Sequence, residues 1–276
     1  MAITDLGELS DVGETQGGAP CGTLLAVIVS AAPAFVHYLP IATTALSAAF
    51  LVALLRHGRL RSFPPHLAWW SAGVLAYGAG TALESAITLF GNSSELTRWW
   101  YVAGALFGGY PLATGSVYLL CRRRVAHALT AVSSAIVVAL SVAVLLSPLD
   151  LAQLEPHRPS GAVLGWRWIR LCTPAVNLYA AAFLVGGALV SAVRFWLMAP
   201  APGAGERAAG TALIAFGGVL PGIGGAMAKA GVVEGLYVGE LVGIVAIWAG
   251  HSMCRRAAAG PEPRAAVELV RDWKPG

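Results

Sequence analysis

Glu84 and Glu240 stand well inside apolar stretches, the first in LAYGAGTALESAITLF and the second in YVGELVGIVAIWAG. An ionisable group is costly in hydrocarbon, so a carboxyl at such a position is read first as a site for a proton, an ion or a polar solute. If both stretches are helices, the two carboxyls lie at one level, about 10 Å below the outer surface. Tyr77, Gly80, Thr81 and Glu84 fall on a single helical face. His37 or Tyr38, Tyr101, Asn177 and Lys229 are placed in the same outer half. Glu84, Glu240, Lys229, Tyr77, Thr81, Tyr101 and Asn177 therefore form a candidate polar vestibule. The same residues admit a purely structural arrangement, with Glu240 paired to Lys229 and Glu84 to Arg98, or with one carboxyl protonated.

A second candidate element is the run GGVLPGIGG, where Pro221 lacks a backbone donor and its ring crowds the preceding turn. Gly217, Gly218, Pro221, Gly222, Gly224 and Gly225 are expected to break the helix there and expose carbonyls, which is tolerated only inside protein or beside water. Pro111 is placed to kink another segment in the same way. The small-xxx-small pairs Gly104/Gly108, Gly218/Gly222 and Gly239/Gly243 also fit plain close packing of helices.

Other chemistries find no support in the residues. There is no Walker loop, HExxH, GxSxG or DxxxD pattern, so no catalytic residue is assigned. The four cysteines lack CxxC or Cys/His spacing, and no metal site is expected. Lys229 is at a helix end, which does not suit a retinal-binding lysine, and His127 and His251 are placed near the inner helix ends, which suits haem poorly. No cofactor is expected. Cys21 and Cys172 fall on the outer side, where a disulfide is conceivable, and Cys121 and Cys254 on the reducing side.

The elements that must position these residues follow from composition. With 57% apolar and 12% charged residues and a mean hydropathy of +0.69, the chain belongs with helical membrane proteins. At roughly 20 residues per span, it divides into a disordered acidic tail (1–22), a transmembrane domain (23–254) and a cytoplasmic tail (255–276). Residues 24–35 read as an interfacial or kinked lead-in. Seven helices are expected, at about 38–56, 66–90, 98–121, 125–146, 172–198, 208–228 and 233–253. Trp166, Arg167, Trp168 and Arg170 have the composition of an interfacial anchor before the fifth. Thirteen Lys and Arg fall on one side and five on the other. That distribution predicts an outside N-terminus and a cytoplasmic C-terminus. The basic residues lie beside apolar segments, as topology signals do, so the net charge of +4 does not point to nucleic acid.

An internal repeat is also visible. Ala48-Ala49-Phe50-Leu51-Val52 matches Ala181-Ala182-Phe183-Leu184-Val185, Leu75-Ala76-Tyr77-Gly78 matches Ile214-Ala215-Phe216-Gly217, and Tyr101-Val102-Ala103-Gly104 matches Tyr237-Val238-Gly239. Helices one to three would then repeat as five to seven in parallel, with the fourth as a linker.

The stretches RWWYVAGALFGGYPLATGSVYLL, GALVSAVRFW and YVGELVGIVAIWAG resemble a group of uncharacterised bacterial seven-helix membrane proteins over about Tyr38 to Met253. The resemblance implies the topology and assigns no activity. The 3+1+3 outline is an analogy to small sugar and vitamin transporters in architecture alone. Two functions are carried forward. One is a small-solute or ion transporter or channel, with the lipid bilayer and an unidentified solute or ion as partners. The other is a non-transporting sensor or scaffold subunit, with a homo-oligomer or a membrane complex as its setting.

Overall fold

A computed structural model describes residues 35–198 and 201–259. The expected N-terminal tail, nearly all of the lead-in and most of the C-terminal tail lie outside the described residues. All described elements are helical, with no strand among them. A 3-10 turn, Phe35–Tyr38, opens into α1 (Leu39–Leu60), followed by α2 (Pro65–Phe90). Next come α3 (Ser94–Trp100), a π-helical turn (Tyr101–Leu106) and α4 (Tyr110–Leu120). Then α5 (Arg123–Leu146) leads through a structured loop to α6 (Arg167–Ala180), a second π-helical turn (Ala181–Gly186) and α7 (Gly187–Leu197). The last two are α8 (Ala204–Lys229) and α9 (Glu234–Ala259).

Six of these helical runs are long and apolar enough to cross a membrane, which is the character of an integral, multi-pass membrane protein. The segment expected at 98–121 is not one continuous helix. Gly108 and Gly109 have little helix propensity, and Pro111 fits best in a first helical turn, where no donor is needed. The chain accordingly breaks at Phe107–Gly109, and α4 starts with Pro111 in that first turn.

At Pro221 the outcome is the reverse of the expectation. Helix α8 runs unbroken from Ala204 to Lys229 with Pro221 inside it. Its glycines explain how. A Cβ on Gly217 would lie 2.6 Å from the carbonyl oxygen of Gly243, and one on Gly243 would lie 2.8 Å from that of Gly217. Gly217 is the residue whose carbonyl loses its helical donor at Pro221, so the freed oxygen is covered by the Gly243 Cα instead, a C–H···O approach that only glycine permits. The same closeness recurs one heptad away on each side: a Cβ on Gly250 would come within 2.4 Å of the Gly210 carbonyl oxygen, and one on Gly224 within 2.6 Å of that of Gly235. The packing seam of α8 is thus Gly210/Gly217/Gly224. Gly218 faces Leu184 and Val185 instead, while Gly222 and Gly225 have nothing within 4 Å.

The helices touch in a closed order. α1 packs on α2, α2 on the π-turn and α4, those on α6 and the second π-turn, α7 on α8, α8 on α9, and α9 back on α1. Helix α5 stands outside this ring against the π-turn, α4 and α6. One buried cluster centres on Phe50, Leu54, Val74, Ile244 and Ile247, and a second on Tyr110, Val137, Leu140 and Ile169.

Candidate functional site

The face of α2 predicted from its spacing is buried, and it carries Tyr77, Gly80, Thr81 and Glu84 inward. Close approach of α2 to the π-turn is set by two glycines: a Cβ on Gly80 would lie 3.0 Å from the Cα of Gly104. That approach brings Trp100, at the end of α3, over Glu84. Its indole Nε1 donates to Glu84 Oε1 at 2.7 Å. On the other side, the Tyr77 hydroxyl donates to the main-chain carbonyl of Glu240 at 2.8 Å, tying the middle of α2 to α9.

These contacts bring the two carboxyl groups together, close enough to share a hydrogen bond when one of them carries a proton. Glu84 is only 2% exposed. Glu240 is half-buried as a residue, yet Oε2 of each carboxyl is sealed from solvent and receives no donor among the described residues. Two ionised carboxylates cannot hydrogen-bond to one another and repel strongly away from water, so a contact of this kind favours a proton shared between them. The arrangement is chemically an acid–carboxylate pair, able to take up or release a proton or to exchange it for a cation.

Three further groups surround the pair. Thr81 Oγ1 shares a hydrogen bond with Thr44 Oγ1 at 2.9 Å, joining α2 to α1. The Tyr237 ring lies one turn before Glu240, is 1% exposed, and keeps a buried hydroxyl with no partner among the described residues. His37 packs edge-on against that ring at 5.5 Å, and its carbonyl accepts from Thr88 at 3.2 Å.

The predicted set therefore divides. Tyr77, Thr81, Glu84 and Glu240 come together, with His37 nearby. Tyr101 does not join them: its hydroxyl shares a hydrogen bond with Thr173 at 2.7 Å in the second buried cluster. Asn177 is exposed on α6, and Lys229 is exposed at the end of α8. The structural ion pairs are also absent. Arg98 donates to the carbonyls of Val144 (3.3 Å) and Leu145, capping the carbonyl end of α5 where a cation is favoured by the helix dipole. Among the described residues the one ion pair is Glu155 with Arg158, in the loop before α6. Neither Lys229 nor Arg98 neutralises a buried glutamate.

Trp100, Thr44 and Tyr237 were not anticipated. Tyr237 was within reach of sequence reasoning, because it precedes Glu240 by three residues and shares its face. Trp100 was not, since its role depends on the Gly80–Gly104 contact between segments.

A cavity of about 410 Å³ lies elsewhere, lined by Asp150, Gln153, Arg167 and Arg170 among others, between the loop and the first turn of α6. Cys172 carries a free thiol, and Cys21 lies outside the described residues. Trp166 and Trp168 stack at 6.3 Å with both rings substantially exposed, as an interfacial anchor requires.

Comparison with protein-family models, curated proteins and solved structures finds no match for this chain. The functional argument rests on the site alone.

Proposed function

We propose that this protein is a proton-coupled transporter of a small solute or ion, with Glu84 and Glu240 as its proton-binding site. One observation carries the reading: two carboxyls from different helices meet inside an apolar bundle, and among the described residues neither is in a salt bridge. The structural alternative of neutralisation by Lys229 or Arg98 has no support, since Arg98 is engaged at the end of α5 and Lys229 is exposed. Such unneutralised intramembrane carboxyls are characteristic of proton relays and ion pathways.

The architecture belongs to the same proposal. The broken run from α3 through α4 completes a seventh crossing, the preponderance of arginine on one side sets the C-terminus in the cytoplasm of a bacterial cell, and helices one to three repeat as five to seven. Support for the repeat comes from the closed neighbour order, in which exchanging the two triplets maps the ring of neighbouring helices onto itself and leaves α5 outside as the linker. The sensor or scaffold reading has no comparable observation in its favour.

The test is reconstitution into vesicles enclosing a pH-sensitive dye, followed by a screen of candidate solutes for proton movement. The proposal expects at least one solute to move protons through the wild-type protein, and Glu240→Gln to abolish that movement while the protein stays folded. Solute movement that is indifferent to Glu240→Gln and Glu84→Gln would reject it.

A further inference from the structure

The ends of α1, α2 and α9 remote from the carboxyl pair carry a second titratable cluster. His57 lies in the last turn of α1, His66 in the first turn of α2, and His251 in the last third of α9. The His251 ring is enclosed by aromatic faces, with ring centroids 5.7 Å from Phe50, 5.7 Å from Trp70 and 6.0 Å from His57, the last edge-on. His66 lies near enough to both other histidines to feel their charge. The remaining charged neighbours are Arg61, just beyond α1, and Arg255 on α9. On another face of α9, the Cys254 thiol meets the Arg207 carbonyl at 3.8 Å, and the Arg207 guanidinium donates to Ala257 O at 3.4 Å. Among the described residues no carboxylate is a charged neighbour of the three histidines.

Between the two clusters the same three helices are mainly apolar, with the buried Ser47 and Ser71 hydroxyls as polar exceptions. Phe50, Val74, Ile244 and Ile247 fill the core there, with Trp248 stacked on Phe50 at 5.6 Å. Glu240 and His251 are eleven residues apart on α9, about 16 Å along the axis. Protonatable groups thus stand at both ends of a packed, mainly apolar plug, the layout needed if protons cross only when the plug parts.

We propose that His57, His66 and His251 form a second proton-binding site, and that charging it separates the α1–α2 hairpin from α9 at this end of the bundle. Histidine is the side chain whose charge changes in the physiological range. Three imidazoliums beside Arg61 and Arg255, with no anion among them, repel across the α1/α9 and α2/α9 contacts. The neutral rings instead pack on Phe50 and Trp70. The carboxyl pair gives the opening its purpose, but the opening does not depend on that pair.

Spin labels at Arg56→Cys and Arg256→Cys, both exposed, in a background without the native cysteines, report the separation by pulsed electron resonance in lipid. The distance is expected to lengthen between about pH 8 and about pH 4, and to stay short throughout in a His57→Gln/His66→Gln/His251→Gln variant. Should the triple variant not fold, ¹⁵N-histidine spectra of the wild type and the single His57→Gln variant decide. Expected are histidine resonances that titrate over that range together with a reduced lengthening in His57→Gln. An unchanged distance, a lengthening that survives loss of the histidines, or histidines silent over that range would overturn the proposal. Loss of the response in Glu84→Gln/Glu240→Gln would do the same, by assigning it to the carboxyl pair. Failure of those two glutamates in the transport screen, with this response intact, would reject the transport reading alone.

Discussion

The Tyr77 hydroxyl donates to the main-chain carbonyl of Glu240 across the α2/α9 contact, at 2.8 Å. The bond sits seven residues before Glu84 on one helix and at Glu240 itself on the other. It therefore fixes the axial register that lets the two carboxyls meet.

Tyr77→Phe keeps the ring and deletes this bond. Hydrogen bonds between membrane helices contribute about 0.6 kcal/mol on average and up to about 1.7, so a loss of about 1 kcal/mol is expected in detergent-to-denaturant unfolding. The variant should also weaken the Glu84–Glu240 contact, raising the accessibility of Glu240 to a carboxyl-modifying carbodiimide.

Lys229→Ala should change unfolding by no more than about 0.5 kcal/mol, as for surface positions generally, because Lys229 is exposed and no ion pair holds it. Arg98→Ala should cost more, since it uncaps the carbonyls of Val144 and Leu145 at the end of α5. A Lys229→Ala variant as unstable as Arg98→Ala would restore the ion-pair account of Glu240.

The glycine seam of α8 predicts opposite signs for neighbouring substitutions. Gly217→Ala sets a Cβ 2.6 Å from a backbone oxygen and should cost about 1–3 kcal/mol, as overpacking does. Gly222→Ala meets nothing within 4 Å, and should be neutral or stabilise by up to about 1 kcal/mol through helix propensity. Thermal unfolding of the two variants side by side checks the order.

Much of the bundle was legible in the sequence. Apolar length alone placed α2 within a residue, α5 and α8 within about a turn, and α9 within two turns of their observed limits. Depth in the segment likewise marked Glu84 and Glu240, and period marked Tyr77 and Thr81 beside them. What failed was whatever depends on contacts between segments. Pro221 breaks an isolated helix, but here Gly243 on the next helix covers the carbonyl it frees, and a single segment's sequence cannot show that. Pro111 follows two glycines, and the break falls there. Pairing by proximity in sequence misled for Lys229 and Arg98, because a helix fixes which way a side chain leaves the axis. Tyr101 and Asn177 share the level of the glutamates but leave their helices toward Thr173 and the exposed face of α6 respectively.

The central claim is that Glu84 and Glu240 hold one proton between them inside the bundle. Infrared spectroscopy of the lipid-reconstituted protein at neutral pH reads it directly, through the carbonyl stretch of a protonated carboxyl group. The wild type is predicted to show this band, and the Glu84→Gln/Glu240→Gln variant to lack it. A wild-type spectrum without the band, or a band that persists undiminished in the double variant, would contradict the account.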